Sequence, residues 1–84
     1  MYREYLSNIL NIELEKLKDE LNLKLILKAR LTKKELKILN GELQNSNIEL
    51  LCEKLNIDSS RYKELKLKIE KKLNRDNFKK EILS

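Results

Sequence analysis

Residues that interrupt helices are almost absent from this chain. Its 84 residues include no proline and one glycine, and leucine, isoleucine, lysine and glutamate dominate the rest. Leucine, lysine and glutamate favour helices, whereas proline and glycine are disfavoured in helix interiors. Valine is missing and aromatic residues make up 5% of the chain, so the composition typical of strands is also lacking. The sequence therefore predicts an all-α protein, a small helical bundle of four to five helices.

Length and cysteine content indicate the number of domains and the cellular compartment. A chain of 84 residues buries roughly 60% of its unfolded surface, which is enough for one core and one domain. Cys52 is the only cysteine and cannot form an internal disulfide, which favours a reducing compartment. No charge-free apolar run approaches the roughly 18 residues of a membrane span, and no signal-peptide pattern is visible. We therefore expect a cytoplasmic protein without a membrane partner.

The positive charge is concentrated in one segment. The chain carries 19 basic and 14 acidic residues, yet residues 1–58 sum to zero and residues 59–80 carry a net charge of +6. A basic stripe of this kind is typical of a protein that binds a polyanion. The alternative interpretation is a lysine-rich surface that only faces solvent.

The first third of the chain carries a leucine stripe. Leucines recur at spacings of four and three from Leu6 to Leu25, which predicts an amphipathic helix over about residues 2–28. This helix is either continuous or broken near Asn22, and alternating residues leave a short strand over residues 21–31 as the other possibility. Because the stripe is longer than the remaining helices can cover, we expect residues 1–30 to be a dimerisation or partner element. It would form a homodimer or receive a helix of a partner protein.

Capping signals divide the rest of the chain into short helices. Thr32 and Glu35 have the spacing of a capping box, which predicts that a helix begins at Thr32. Gly41 falls inside the apolar pattern of this helix and indicates either a close backbone contact or an early end. Asp76 has the position of an N-cap for a short last helix.

Two helices in the middle of the chain form the pattern with functional meaning. The first begins at Ser46 or Asn47 and ends at Asn56, because asparagine tolerates the left-handed conformation that ends helices. The second covers about residues 59–73, is basic, and begins after the predicted N-cap Asp58. Two short helices joined by a tight turn predict a helix-turn-helix, whose second helix enters the major groove of duplex DNA.

Residues 31–73 resemble the LuxR/GerE-type DNA-binding domain. The resemblance rests on residues 31–35 (LTKKE), 38–39 (IL), 51–57 (LCEKLNI), Lys63, Ile69 and residues 72–73 (KL). These residues align without a gap with the family's L-T-x-R-E-x-x-V-L start, its E-I-A-x-x-L-x-I core and its closing I-x-x-K-L. Asn45, Asp58 and Leu65 stand where the family has glycine, serine and histidine. Region 4 of sigma factors shares the same skeleton, and these residues do not separate the two.

The resemblance implies which residues face DNA. Carried over by position, it gives Ser59, Ser60, Arg61 and Lys63 in the first turns of the recognition helix, to which the basic helix adds Lys66 and Lys68. Glu64 also falls near these positions, where a carboxylate would be repelled by DNA unless it accepts from a cytosine. Arginine and lysine suit guanine edges or phosphates, and serine suits phosphates. The predicted organisation is one domain, with residues 1–30 as the dimerisation or partner element and residues 31–84 as the LuxR-like module.

Residue types needed for catalysis are scarce. The chain has no histidine and no glycine-rich loop, and Cys52 has no partner base, so we expect Cys52 to be a small buried side chain between the two helices. No enzyme activity, cofactor, metal or small-molecule substrate is expected. The sequence thus predicts a DNA-binding transcription regulator. The alternative is a non-catalytic protein-interaction module, such as an adaptor, anti-activator or chaperone, that keeps the helical fold without binding DNA.

Overall fold

Six α-helices and no strand make up the protein. The computed structural model describes residues 1–84, with α1 (Tyr2–Leu10), α2 (Glu20–Arg30), α3 (Lys33–Leu43), α4 (Ile48–Leu55), α5 (Ser59–Leu73) and α6 (Asp76–Ile82). A short 3₁₀ turn, Leu14–Lys16, lies between α1 and α2. The all-α prediction is confirmed. The predicted count of four to five helices was wrong, because the first predicted helix is two helices.

The break between α1 and α2 comes from local backbone chemistry. Asn11 ends α1 in the left-handed conformation, with φ of 55°, and the Ser7 hydroxyl donates to the Ile12 carbonyl at 2.6 Å. Asp19 then begins α2 by accepting a hydrogen bond from the Asn22 amide at 2.8 Å. The chain is therefore interrupted over residues 11–19, and Asn22 lies within the first turn of α2 rather than at a break.

The interruption changes which leucines are buried. A continuous helix would place Leu21 and Leu25 on the same face as Leu6, yet 68% and 56% of their surfaces are exposed. Leu23 and Leu27 are fully buried instead, because α2 begins a new helical register after the break. The predicted single stripe was wrong, as was the alternative of a strand over residues 21–31.

One apolar core joins all parts of the chain. Sixteen buried residues form a single cluster, to which every α-helix contributes. Leu17, which follows the 3₁₀ turn, and Leu83, near the carboxyl terminus, form an isolated antiparallel bridge, and the Lys18 amide donates to the Ile82 carbonyl at 2.9 Å. The start of α1 is bound to the start of α2, because the Glu20 carboxylate accepts hydrogen bonds from the Tyr2 and Arg3 amides.

The predicted capping box at the start of α3 is present. Thr32 accepts from the Glu35 amide at 3.2 Å, and the Glu35 carboxylate accepts from the Thr32 amide at 2.9 Å. Gly41 does not end this helix. A Cβ atom at position 41 would lie 2.7 Å from Cδ2 of Leu51, so the glycine permits the close contact between α3 and α4.

Candidate nucleic-acid interface

Helices α4 and α5 are joined by three residues with a defined conformation. Asn47 caps the start of α4 by accepting from the Glu49 and Leu50 amides. Asn56 ends α4 with φ of 56°, as the sequence predicts. Asp58 caps α5, because its carboxylate accepts from the Arg61 amide at 2.7 Å. These local bonds fix where α5 begins and which side of it faces the core.

The inner face of α5 packs on the remaining helices. Its buried residues are Tyr62, Leu65, Ile69 and Leu73. They follow spacings of three and four, which is one face of a helix with 3.6 residues per turn. The rest of the circumference faces solvent and carries the basic residues of the segment. Because the apolar face of α5 is buried, its basic side chains point towards solvent.

All six predicted DNA contacts are exposed on α5, but they do not share one face. Arg61 and Lys68 are seven residues apart and lie on one flank, whereas Lys63 and Lys66 lie on the other. Ser59 is on the Lys66 flank and Ser60 is on the outer ridge between the flanks. The structure thus places cations on both sides of a solvent-facing helix.

Carboxylates neutralise two of these four cations. Arg61 Nη1 lies 3.0 Å from Glu64 Oε2 on the same helix, and Lys66 Nζ lies 3.0 Å from Glu42 Oε1 on α3. Lys63 and Lys68 have no carboxylate within 4.0 Å. Because half-exposed ion pairs are weak, Arg61 and Lys66 remain available to an external anion at small cost.

Glu42 also receives a hydrogen bond from α5. The Tyr62 hydroxyl donates to Glu42 Oε1 at 3.0 Å. Burial of the phenol, followed by this hydrogen bond and the charge of Glu42, raises the pKa of Tyr62 to about 12. The ring is buried, so Tyr62 fixes the first turns of α5 against α3.

A basic groove lies between the start of α3 and the flank of α5 that carries Arg61. Its cations are Lys33, Lys34, Arg61, Lys68, Lys71, Lys72 and Arg75. Of these seven cations, the sequence predicts only Arg61 and Lys68 as DNA contacts. The missed signal on α5 is the spacing of positions 61, 68 and 72, which puts three basic residues on one side of the helix. Arg75 joins them from the connection between α5 and α6. The contribution of α3 depends on how α3 packs against α5.

One buried carboxylate anchors this groove. The side chain of Glu35 is 2% exposed, and Glu35 Oε1 lies 2.6 Å from Lys72 Nζ. Burial alone would raise the pKa of Glu35, but hydrogen bonds from Lys72 and from the Thr32 amide outweigh it, so the pKa lies below its usual 4.5. The capping box of α3 therefore also binds α5.

The surface around α4 carries the opposite charge. A shallow groove beside the α4–α5 connection is lined by Glu49, Glu53 and Asp58, with apolar contributions from Ile48 and Ile57. None of the three carboxylates takes part in an ion pair. Cys52 lies buried beneath this surface, as predicted. Acidic and basic surfaces thus occupy different sides of the α4–α5 pair.

Comparisons with known proteins give no family for this chain. No protein-family model matches it, and neither a curated protein nor a solved structure does. None of the six helices has the length and apolar character needed to cross a membrane. No three of its histidine, cysteine, aspartate and glutamate side chains come together in a way that would hold a metal ion.

Proposed function

We propose that this protein is a transcription regulator that binds duplex DNA by inserting α5 into the major groove. The observation that carries the proposal is the exposed cations on both flanks of α5. A helix is about 10–12 Å wide, close to the roughly 12 Å width of the major groove, so the two phosphate backbones would run along its two flanks. Lys63 and Lys66 would face one backbone, and Arg61 and Lys68 the other.

The first turns of α5 would meet the bases and the nearest phosphates. Ser60 is exposed near its start and offers a hydroxyl donor to phosphate oxygens. Ser59 is exposed as well, but it lines the acidic groove beside α4, where phosphate would be repelled. Arg61 is the best candidate for a base contact, because a guanidinium can bind both acceptors of a guanine edge. The resemblance of residues 31–73 to the LuxR/GerE-type domain, or to region 4 of sigma factors, supports treating α4 and α5 as a helix-turn-helix.

A second candidate function is a protein-interaction module without DNA binding. The observation that favours it is the groove beside α4, where Ile48 is 52% exposed and lines the surface together with the half-buried Ile57. Glu49 and Glu53 lie beside these apolar side chains, and phosphate would be repelled from this surface. Exposed apolar groups of this kind are common at protein interfaces.

We also propose that the regulator acts as a homodimer formed through residues 1–30. The support for this is the outer face of α2, where Leu21 and Leu25 are exposed one helical turn apart. Many helix-turn-helix proteins bind two half-sites as dimers. A partner helix on the same leucines is the alternative occupant.

Duplex binding is tested by fluorescence anisotropy on labelled random-sequence duplexes over a series of salt concentrations. Affinity should fall steeply with salt, with a log–log slope of about −0.9 for each phosphate contact. Replacing Lys66 or Lys68 by alanine should weaken binding alike on all sequences and make the slope shallower by about one unit. If the wild-type protein binds no duplex at low salt, the protein-interaction function replaces this proposal.

Arg61 is distinguished from these lysines by its effect on specificity. After selection of a preferred site from random duplexes, Arg61→Ala should weaken binding to that site by about 1–3 kcal/mol and leave non-specific binding less affected. Lys54→Ala is the control, because Lys54 is exposed on α4 and does not line the basic groove. An equal loss on all sequences would assign Arg61 to phosphate contact only.

A further inference from the structure

The basic groove holds more positive charge than the fold needs. Seven of the residues that line it are basic and one, Glu35, is acidic. Glu35 is buried and bound to Lys72, whereas Arg61 forms only a weak, solvent-exposed pair with Glu64. The other five cations, which are Lys33, Lys34, Lys68, Lys71 and Arg75, have no carboxylate within 4.0 Å. Like charges gathered in this way repel one another and destabilise the folded state.

The character of the groove limits the ligand that would relieve this repulsion. Leu65 is the only hydrophobic residue in its lining, so an apolar ligand would find little surface to cover. The free cations sit on long exposed side chains. Lys33 and Lys34 lie on α3, Lys68 and Lys71 lie on α5, and Arg75 lies in the connection between α5 and α6. A row of cations fits a chain of repeated negative charges better than one compact anion.

We propose that the basic groove binds the phosphate backbone of one strand of the DNA duplex that α5 enters. This inference rests on the proposed function and adds a second contact region to it, formed by the start of α3, the carboxyl-terminal half of α5 and Arg75 in the connection after α5. The backbone would pass from Arg61 and Lys68 towards Lys71 and Arg75, with Lys33 and Lys34 opposite. The Glu35–Lys72 pair holds α3 and α5 together at the base of this path.

The opposite charge of the α4 surface sets the direction in which the duplex lies. Glu49, Glu53 and Asp58 would repel a phosphate backbone laid across α4. The duplex therefore extends from α5 over the start of α3 and avoids α4. Non-sequence-specific affinity and its salt dependence should come largely from this groove, because phosphate contacts dominate both.

The test compares two triple variants that remove the same charge by the same substitution. Lys33→Gln/Lys34→Gln/Lys71→Gln removes groove cations that the proposed contacts of residues 59–68 do not include. Lys24→Gln/Lys28→Gln/Lys54→Gln removes three exposed, unpaired lysines on α2 and α4. Lysine and glutamine have similar helix propensity, so both variants should fold, as a circular dichroism melt would verify.

Anisotropy titrations of a 20-bp duplex at several salt concentrations give the readout. The groove variant should bind at least about tenfold more weakly and make the log–log salt slope shallower by roughly 2.7 units, about 0.9 for each lost contact. The control variant should keep the wild-type slope to within about one unit. Equal losses in the two variants would overturn the groove assignment and leave duplex binding by α5 standing. Absence of wild-type binding at low salt would overturn the proposed function and the groove assignment with it.

Discussion

At the scale of single residues, Glu35 connects a local signal to the tertiary structure. Its spacing from Thr32 predicts the capping box, and that bond is present. Nothing in the sequence predicts that the same carboxylate also accepts from Lys72, which is 37 residues away. Local capping depends on three or four residues, whereas the second bond depends on the packing of α3 against α5. Glu35 therefore stabilises both the start of a helix and its contact with a neighbour.

Loss of the Glu35 charge should destabilise the protein in a pH-dependent way. The pKa of Glu35 is lower in the folded state than its usual 4.5, so its contribution is fully present above about pH 4.5 and disappears as pH falls through the folded-state pKa. Glu35→Gln should lower the free energy of unfolding at pH 7 by about 1–3 kcal/mol. The loss should become smaller below about pH 4.5, where the wild-type carboxylate is protonated as well.

Urea denaturation from neutral to acidic pH provides the measurement for Glu35. Glu53→Gln is the matched control, because Glu53 is exposed and has no ion-pair partner, and surface changes of this kind usually stay within about 0.5 kcal/mol. If the Glu35→Gln variant loses as much stability on acidification as the wild type, Glu35 is not a source of the acid sensitivity.

At the scale of helices, the sequence predicts starts and ends better than interruptions. The predicted N-caps Thr32 and Asp58, and the C-cap Asn56, are where the structure has them. The predicted N-cap Asp76 was wrong, because Asp76 is the first residue of α6 and Arg75 stands at the cap without a side-chain hydrogen bond. The break after Asn11 was missed because the leucine spacing of three and four continues through it. Periodicity in sequence does not distinguish a helix face from apolar residues that enter the core from separate elements. Asn11 adopts the left-handed conformation that ends a helix, but nothing in the neighbouring sequence distinguishes it from asparagines that lie inside helices.

Gly41 permits the close contact between α3 and α4. Replacing it has two opposing effects on stability, a gain in helix propensity and a steric clash with Leu51. Gly41→Ala gains about 1 kcal/mol of helix propensity, while its Cβ would lie 2.7 Å from a terminal methyl of Leu51. Leu51 is half-buried and can shift, so the alanine variant should stay within about 1 kcal/mol of wild type. Gly41→Val adds two further carbons at this contact and should be destabilised by about 1–3 kcal/mol relative to Gly41→Ala.

The same pair of variants should report on the position of α5. In the Gly41→Val variant, displacement of α4 by the larger side chain would move the start of α5, because only residues 56–58 separate the two helices. Duplex affinity of the valine variant should therefore fall under conditions where it remains folded, and that of the alanine variant should not. Equal stability of the two variants in urea denaturation would contradict the close-contact role assigned to Gly41.

At the scale of the whole molecule, the sequence predicts which segment is basic but not which charged residues come together on the surface. Counting charges locates the net +6 in residues 59–80, and the helix pattern puts six of the nine basic residues of this segment on α5. The basic groove needs Lys33 and Lys34 as well, and these belong to a segment that is neutral overall. The shallow groove beside the α4–α5 connection likewise brings together Glu49 and Glu53 of α4 and Asp58, the N-cap of α5. Charges that are distant in sequence become neighbours only through packing, which periodicity does not describe.

The last prediction concerns association through the outer face of α2. Leu21 and Leu25 are 68% and 56% exposed, and α2 has one acidic residue, Glu20, in its first turn and two basic residues, Lys28 and Arg30, in its last. An antiparallel pair related by a two-fold axis would bury both leucines of each copy and place unlike charges opposite one another. Burying each leucine contributes about 1.5–3 kcal/mol, while association costs about 4–15 kcal/mol. The expected dimer is therefore weak.

Sedimentation velocity over about 10 μM to about 1 mM covers the range in which such a dimer would dissociate. The wild-type protein should shift from monomer to dimer across this range, and Leu21→Gln/Leu25→Gln should remain a monomer with nearly unchanged stability, since both side chains already face solvent. Leu50→Gln is the control for a general loss of surface hydrophobicity, because Leu50 is 57% exposed on α4. A wild-type protein that stays monomeric throughout would contradict the homodimer and leave α2 to a partner helix. Dimerisation that Leu50→Gln abolishes and the α2 variant does not would place the interface on α4.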